Sequence, residues 1–137
     1  IGHSAGGHLA LWAAGRSGLG EEDPGSNPKV LPHTVVAQAA VVDLYVAAED
    51  NLGRGAVQAF LGGGPEEVPE HYRVATPGVT EARIIAVHGR YDLTVPISQS
   101  DFLVDAEGIF NDTATHFDIL NPRHDLWIRT LDALDIS

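Results

Sequence analysis

Ser4 stands in Gly2-His3-Ser4-Ala5-Gly6, a serine flanked at two removes by glycine, and a stretch with a helical pattern follows it. The pattern G-x-S-x-G marks a sharp strand-to-helix turn that presents the serine at its apex in strained geometry. Glycine on either side avoids the clashes such a turn would create. The helix that starts there directs its N-terminus at the reacting centre, where its dipole favours a developing oxyanion. The backbone N–H of Ala5 is the expected oxyanion donor. A serine hydroxyl needs a base to take its proton, and the base needs an acid to fix its tautomer. Asp92, in His88-Gly89-Arg90-Tyr91-Asp92-Leu93-Thr94-Val95-Pro96, follows the clearest strand pattern of the chain. That is where open α/β sheets carry functional residues. His124, in the loop ahead of the last helix, is the expected base.

Taken singly, each residue has a plainer reading: Ser4 as a helix cap, Asp92 as a turn residue before Pro96, His124 as a surface histidine. Together they run Ser, Asp, His, with 88 residues from Ser4 to Asp92 and 32 more to His124. That order fits the α/β-hydrolases and not the chymotrypsin-like or subtilisin-like enzymes. Asp43 is the alternative acid, because it closes an earlier apolar run. His3 and His8 are expected to pack against or line the site, and His88 to be structural. Neither His3 with His8 nor His116 with His124 has carboxylate or cysteine company at zinc spacing, so no metal is expected. Gly62-Gly63-Gly64 is followed by Pro65, not by the Lys-Ser/Thr of a phosphate loop, and reads as a hinge. Trp12 and Trp127 read as core, and Glu21-Glu22-Asp23 as a solvated loop.

These side chains need a scaffold of alternating elements. A helix is expected over Ala5–Arg16, with Leu9, Trp12 and Ala13 on one face. Residues 17–33 are rich in Gly, Pro and acid and read as a loop. Residues 34–45 contain a β-branched run that reads as a buried parallel strand ending near Asp43. Residues 50–81 look like an excursion from the core, a cap or lid, with a short helix at Ala56–Leu61. Residues 82–89 form the clearest strand. A helix capped by Ser98 should run to Glu107 and stop at Gly108. A weaker strand is expected over 115–120 and an amphipathic helix over Asp125–Leu134, with Leu126, Ile128, Leu131 and Leu134 as its apolar positions. The alternation implies an α/β fold with a parallel sheet.

Composition narrows the function. The 137 residues hold 8 Lys and Arg against 19 Asp and Glu, a formal charge of −11. Such a field repels phosphate backbones and anionic lipid, so neither nucleic acid nor a membrane surface is an expected partner. There is no cysteine, hence no thiolate nucleophile and no disulfide. The chain opens on Ile1 and not on Met, which reads as a fragment; a cytoplasmic location is the default expectation.

The stretches GHSAGGHLALWAA, FLGGGPEEVPEHYRVATP, HGRYDLTVP and the RHD loop together resemble the small esterase-like α/β-hydrolases, a group that includes kynurenine formamidases and relatives of the prolyl oligopeptidase catalytic domain. The resemblance implies an α/β-hydrolase fold, here the C-terminal portion of a mostly parallel sheet flanked by helices, with the N-terminal strands missing. It implies Ser4 as nucleophile, Asp92 as acid and His124 as base, and no cofactor. It also implies a small-molecule ester or amide substrate, esters first, then an aryl formamide or a short peptide. The family's His-Gly-Gly loop, which gives the second oxyanion donor, does not precede Ser4. The isolated chain is therefore expected to be inactive, and a non-catalytic association module is the reading of another class.

Overall fold

The structure is a computed structural model describing residues 1–136. Strands β1 (Gly2–His3), β2 (Thr34–Gln38), β3 (Arg83–Gly89) and β4 (Glu107–Asn111) form one parallel sheet in the order 1-2-3-4. Helices α1 (Ala5–Gly15), α2 (Leu44–Glu49), α3 (Ala56–Leu61), α4 (Pro69–Ala75) and α5 (Asp125–Ala133) surround it. β2 and β3 are the fully covered strands, which is why TVVAQ and RIIAVHG read as nearly continuous apolar runs. Val35 and Ala37 pack with Leu11 and Ala14 of α1. Val36, Ile85, Val87 and Ile109 pack with Leu126 of α5. This is the α/β-hydrolase arrangement, in part.

α1 buries Gly7, Leu11, Ala14 and Gly15, while Leu9 is 58% exposed, so the packed face is not the expected one through Leu9, Trp12 and Ala13. Small residues decide this. A Cβ on Gly7 would lie 2.6 Å from the Ala40 Cβ, and one on Gly15 would lie 2.8 Å from the Gly78 carbonyl oxygen. The helix axis can therefore sit closer to the sheet than a leucine face would allow.

The stretch between β2 and β3 carries its own apolar cluster, with Leu44, Ala47, Ala48, Val57, Leu61 and Tyr72 at its centre. Two side chains of α1 hold its far end. The His8 ring bonds the Ala75 carbonyl through Nε2 and Trp12 Nε1–H donates to the Val74 carbonyl, both at 2.8 Å. Arg73 adds a two-pronged bond to Asp23 at 2.9 and 2.7 Å.

Three expectations fail in the C-terminal third and near Asp43. β2 stops at Gln38, because Ala39 turns to a φ of 44° and breaks the ladder. No helix starts at Ser98. A 3-10 turn at Ile97–Phe102 follows Pro96 instead, without a side-chain cap. The last strand is Glu107–Asn111, where the helix stop was expected; Ile109 and Phe110 suit a strand, and the Phe110 ring lies where a Gly108 side chain would be. Residues 115–120 are not a strand. The Thr115 N–H and hydroxyl both donate to Asp118 Oδ2 at 2.7 Å and curl the segment into a turn. In α5, Leu126 and Thr130 are buried and Ile128 is 48% exposed. Among the described residues no helix is long and apolar enough to cross a membrane.

Candidate active site

Ser4 links β1 to α1 with φ 55° and ψ −121°, a region that only glycine enters without strain. Its N–H donates to the Gln38 carbonyl at 2.8 Å, which pins the apex to the end of β2. A side chain on Gly2 would overlap the Gly6 carbonyl, so the turn requires glycine there. The Ser4 carbonyl accepts the N–H groups of Gly7 and His8 at 2.9 and 3.2 Å. Helix geometry leaves the Ala5 N–H without an intrahelical acceptor, beside the Ser4 side chain.

Asp92 occupies the turn after β3 and is 6% exposed. Its Oδ1 accepts the N–H groups of Thr94 and Val95 at 2.8 and 2.9 Å. Its Oδ2 faces two histidines, His116 Nδ1 at 2.6 Å and His88 Nε2 at 3.3 Å. The turn lies tight against the segment that carries His116. Tyr91 N–H donates to the Ala114 carbonyl at 3.1 Å, and a side chain on Gly89 would overlap that carbonyl.

His116, not His124, therefore meets the acid. His116 is 5% exposed. Its ring centroid is 4.4 Å from that of His3, and the His3 Nε2–H donates to the His116 carbonyl at 2.8 Å. His3 is the residue next to Ser4, so the contact brings His116 to the elbow. With Nδ1 on Asp92, the ring keeps Nε2 without a hydrogen bond among the described residues. His124 is the N-cap of α5: its Nδ1 accepts the Leu126 N–H at 3.2 Å. That capping bond turns the ring to its own helix, and Asp92 already holds His116. The expected pairing of Asp92 with His124 does not form.

The misplacement traces to the last strand. With a strand at 115–120, the loop after it contains His124. With the strand at 107–111, that loop begins at residue 112 and its first histidine is His116. Asp43, the alternative acid, caps α2, with Oδ1 accepting from Tyr45 and Val46 at 2.9 and 3.0 Å. Burial pushes the His88 imidazole below its usual pKa, so it is neutral. No group of three or more His, Asp or Glu among the described residues is arranged to hold a metal ion.

Residues 1–106 match the family model BD-FAE. The chain belongs to the BD-FAE family. The matched stretch holds Ser4 and Asp92 and ends before both His116 and His124. Solved structures similar to this BD-FAE chain share its α/β-hydrolase fold. A bifunctional GH43-CE protein of Bacteroides eggerthii aligns at 23% identity and TM-score 0.72, over 99% of this chain and 21% of its own. A thermophilic esterase of the planctomycete Thermogutta terrifontis, solved with butyrate, aligns at 20% identity and TM-score 0.65, over 98% of this chain and 52% of its own. An acylaminoacyl peptidase bound to a peptidyl chloromethyl ketone aligns at 15% identity and TM-score 0.65, over 96% and 22%. The chain thus spans between about a fifth and a half of these proteins' lengths. No protein of curated function matches it in sequence.

Proposed function

We propose that this chain carries the nucleophile, acid and base of a serine hydrolase acting on small carboxylic esters, with Ser4, Asp92 and His116 in those roles. The observation that carries the reading is the buried 2.6 Å contact of His116 Nδ1 with Asp92 Oδ2 beside the strained Ser4 turn. Asp92 holds the proton of His116 on Nδ1, which leaves Nε2 as the lone pair that accepts the Ser4 proton. Ser4 Oγ attacks the ester carbonyl, and the oxygen becomes an oxyanion facing the Ala5 N–H. His116 then returns the proton to the leaving alkoxide. Water, deprotonated by the same nitrogen, attacks the acyl-serine; the acid departs and Ser4 recovers its proton. No cofactor enters these steps. Helices α2, α3 and α4 lie in the segment between β2 and β3, and are the wall proposed for the acyl group.

Esters come first because the family is one of α/β-hydrolase-like esterase domains and a structural neighbour was solved with butyrate. A short peptide or an aryl formamide is the second reading, favoured by the likeness to an acylaminoacyl peptidase. The test is labelling by a fluorophosphonate probe in the protein expressed from its whole coding sequence. Ser4 should be the labelled residue, and Ser4→Ala should abolish labelling and p-nitrophenyl acetate hydrolysis together. Labelling that persists in Ser4→Ala would overturn the assignment.

A further inference from the structure

Behind Asp92 lies a second histidine that the proposed reaction does not use. His88 is 0% exposed, and every polar atom of its ring is engaged. Its Nε2 is 2.9 Å from the Val95 carbonyl and 3.3 Å from Asp92 Oδ2. Both of those oxygens only accept, so Nε2 must carry a proton. Its Nδ1 is 2.7 Å from Ser100 Oγ. In a neutral ring Nδ1 is then a lone pair, and the Ser100 hydroxyl must be the donor.

We propose that His88 is a positioning residue for Asp92: the Val95 carbonyl fixes its Nε2–H tautomer, the Ser100 hydroxyl holds Nδ1, and the ring so fixed, with Nε2 3.3 Å from Asp92 Oδ2, keeps the carboxylate in the orientation that receives His116. The inference rests on the role proposed for Asp92.

Consider the ring in its other tautomer. Nε2 would present a lone pair to the Val95 carbonyl and to the Asp92 carboxylate, three acceptors facing one another in a dry site. Nδ1–H would point at Ser100. The Val95 carbonyl excludes that arrangement, and the Ser100 hydroxyl, which can donate or accept, answers by donating to Nδ1. Ser100 cannot drift away, because its neighbour Gln99, also 0% exposed, anchors the same 3-10 turn: Gln99 Oε1 accepts the N–H groups of Val42 and Asp43 at 2.7 and 2.9 Å. Asp92 is thus gripped from two sides: Oδ1 accepts the N–H groups of Thr94 and Val95, and Oδ2 lies 2.6 Å from His116 Nδ1 and 3.3 Å from His88 Nε2, whose own hydrogen bond goes to the Val95 carbonyl of the same turn.

The experiment uses ¹⁵N-histidine-labelled protein as wild type, Ser100→Ala, His88→Gln and His88→Leu. Two signals are read: the tautomer of His88, and the downfield proton of His116 Nδ1 in its bond to Asp92. Fluorophosphonate labelling of Ser4, normalised to folded protein, is measured alongside. Wild type should show neutral His88 protonated on Nε2. In Ser100→Ala His88 should stay protonated on Nε2, because the Val95 carbonyl still only accepts, while the ring that has lost its Nδ1 partner is held less firmly: the His116 proton should move upfield and labelling should fall, by up to roughly 10- to 100-fold, the scale of a small misplacement in a catalytic array. His88→Gln puts an amide N–H near the place of Nε2 and should retain most of the His116 signal and of the labelling; His88→Leu should lose both. An unchanged His116 proton in folded His88→Leu would overturn the proposal, as would equal behaviour of folded His88→Gln and His88→Leu. If His88→Leu does not fold, the His116 proton in Ser100→Ala decides, and an unchanged resonance there overturns the proposal. Persistent labelling in Ser4→Ala would remove the proposed reaction, while the two resonance readouts would still settle the positioning role.

Discussion

His116 and His124 use their rings in opposite ways. One gives Nδ1 to a buried carboxylate, and the other gives Nδ1 to the first turn of its own helix. Their substitutions should therefore part company. His116→Gln should lower ester turnover by roughly 10⁴-fold or more, since the proposed base vanishes. His124→Asn supplies a side chain that caps helices well and should leave turnover within about a factor of two and stability within about 0.5 kcal/mol. Steady-state kinetics and a thermal melt check both; equal losses of turnover would return the base to position 124. The carboxylates separate in the same manner. Asp92→Asn should cost roughly 10⁴-fold in turnover. Asp43→Asn keeps a capping oxygen for Tyr45 and Val46 and should cost little. The strained turn at Ser4 and the carboxylate after β3 were legible in the sequence because their neighbours are informative: glycines around the first, an apolar strand and a proline around the second. The partner of Asp92 was not legible, because a histidine carries no local signature of its contacts. Only the position of the preceding strand identifies it, and that strand was misread.

At the level of elements, the misreading has a physical source. Residues 115–120 alternate in a strand-like way, but Asp118 captures two donors from Thr115, which also hold its carboxyl below the usual range. A local side-chain bond thus outcompetes the ladder. β3, packed on both faces, left no such choice and was read close to its true limits, whereas β2 stops at Gln38, short of the expected end near Asp43. Helix α1 contributes a pH response. Burial pushes His8 below the usual imidazole pKa, and its bond to the Ala75 carbonyl only partly opposes this. His88 is shifted the same way by burial. A histidine depressed in the folded state contributes stability that is complete above its unfolded pKa of about 6.5 and is lost as pH falls below that value. The melting temperature should therefore drop between about pH 7 and pH 5. In His8→Gln the drop should be shallower, since one of the two protonations no longer distinguishes the states. An unchanged slope would mean that His8 is as basic folded as unfolded.

For the molecule as a whole, the separate apolar cluster of α2, α3 and α4 implies uneven stability. Polar ties hold this cluster at its two ends: the His8 and Trp12 bonds from α1 and the Arg73–Asp23 bond at α4, and the Gln99 bonds to Val42 and Asp43 ahead of α2. Native-state hydrogen exchange should show residues 52–78 opening at lower free energy than β2 and β3. Trp12→Phe, which removes one donor and keeps the ring, should speed exchange at 69–78 and leave the strands unchanged. Uniform acceleration would show that the excursion and sheet open as one unit.

The backbone at Ser4 sets durability against use. Holding a non-glycine residue at φ 55° and ψ −121° costs roughly 1–3 kcal/mol. Glycine would release that strain and give back only about 0.5–1 kcal/mol through the looser unfolded chain. Ser4→Gly should thus melt higher than the wild type while losing all fluorophosphonate labelling. Selection for heat resistance alone would erase the serine, so a library screened only for survival after heating should accumulate robust, inert variants at this position.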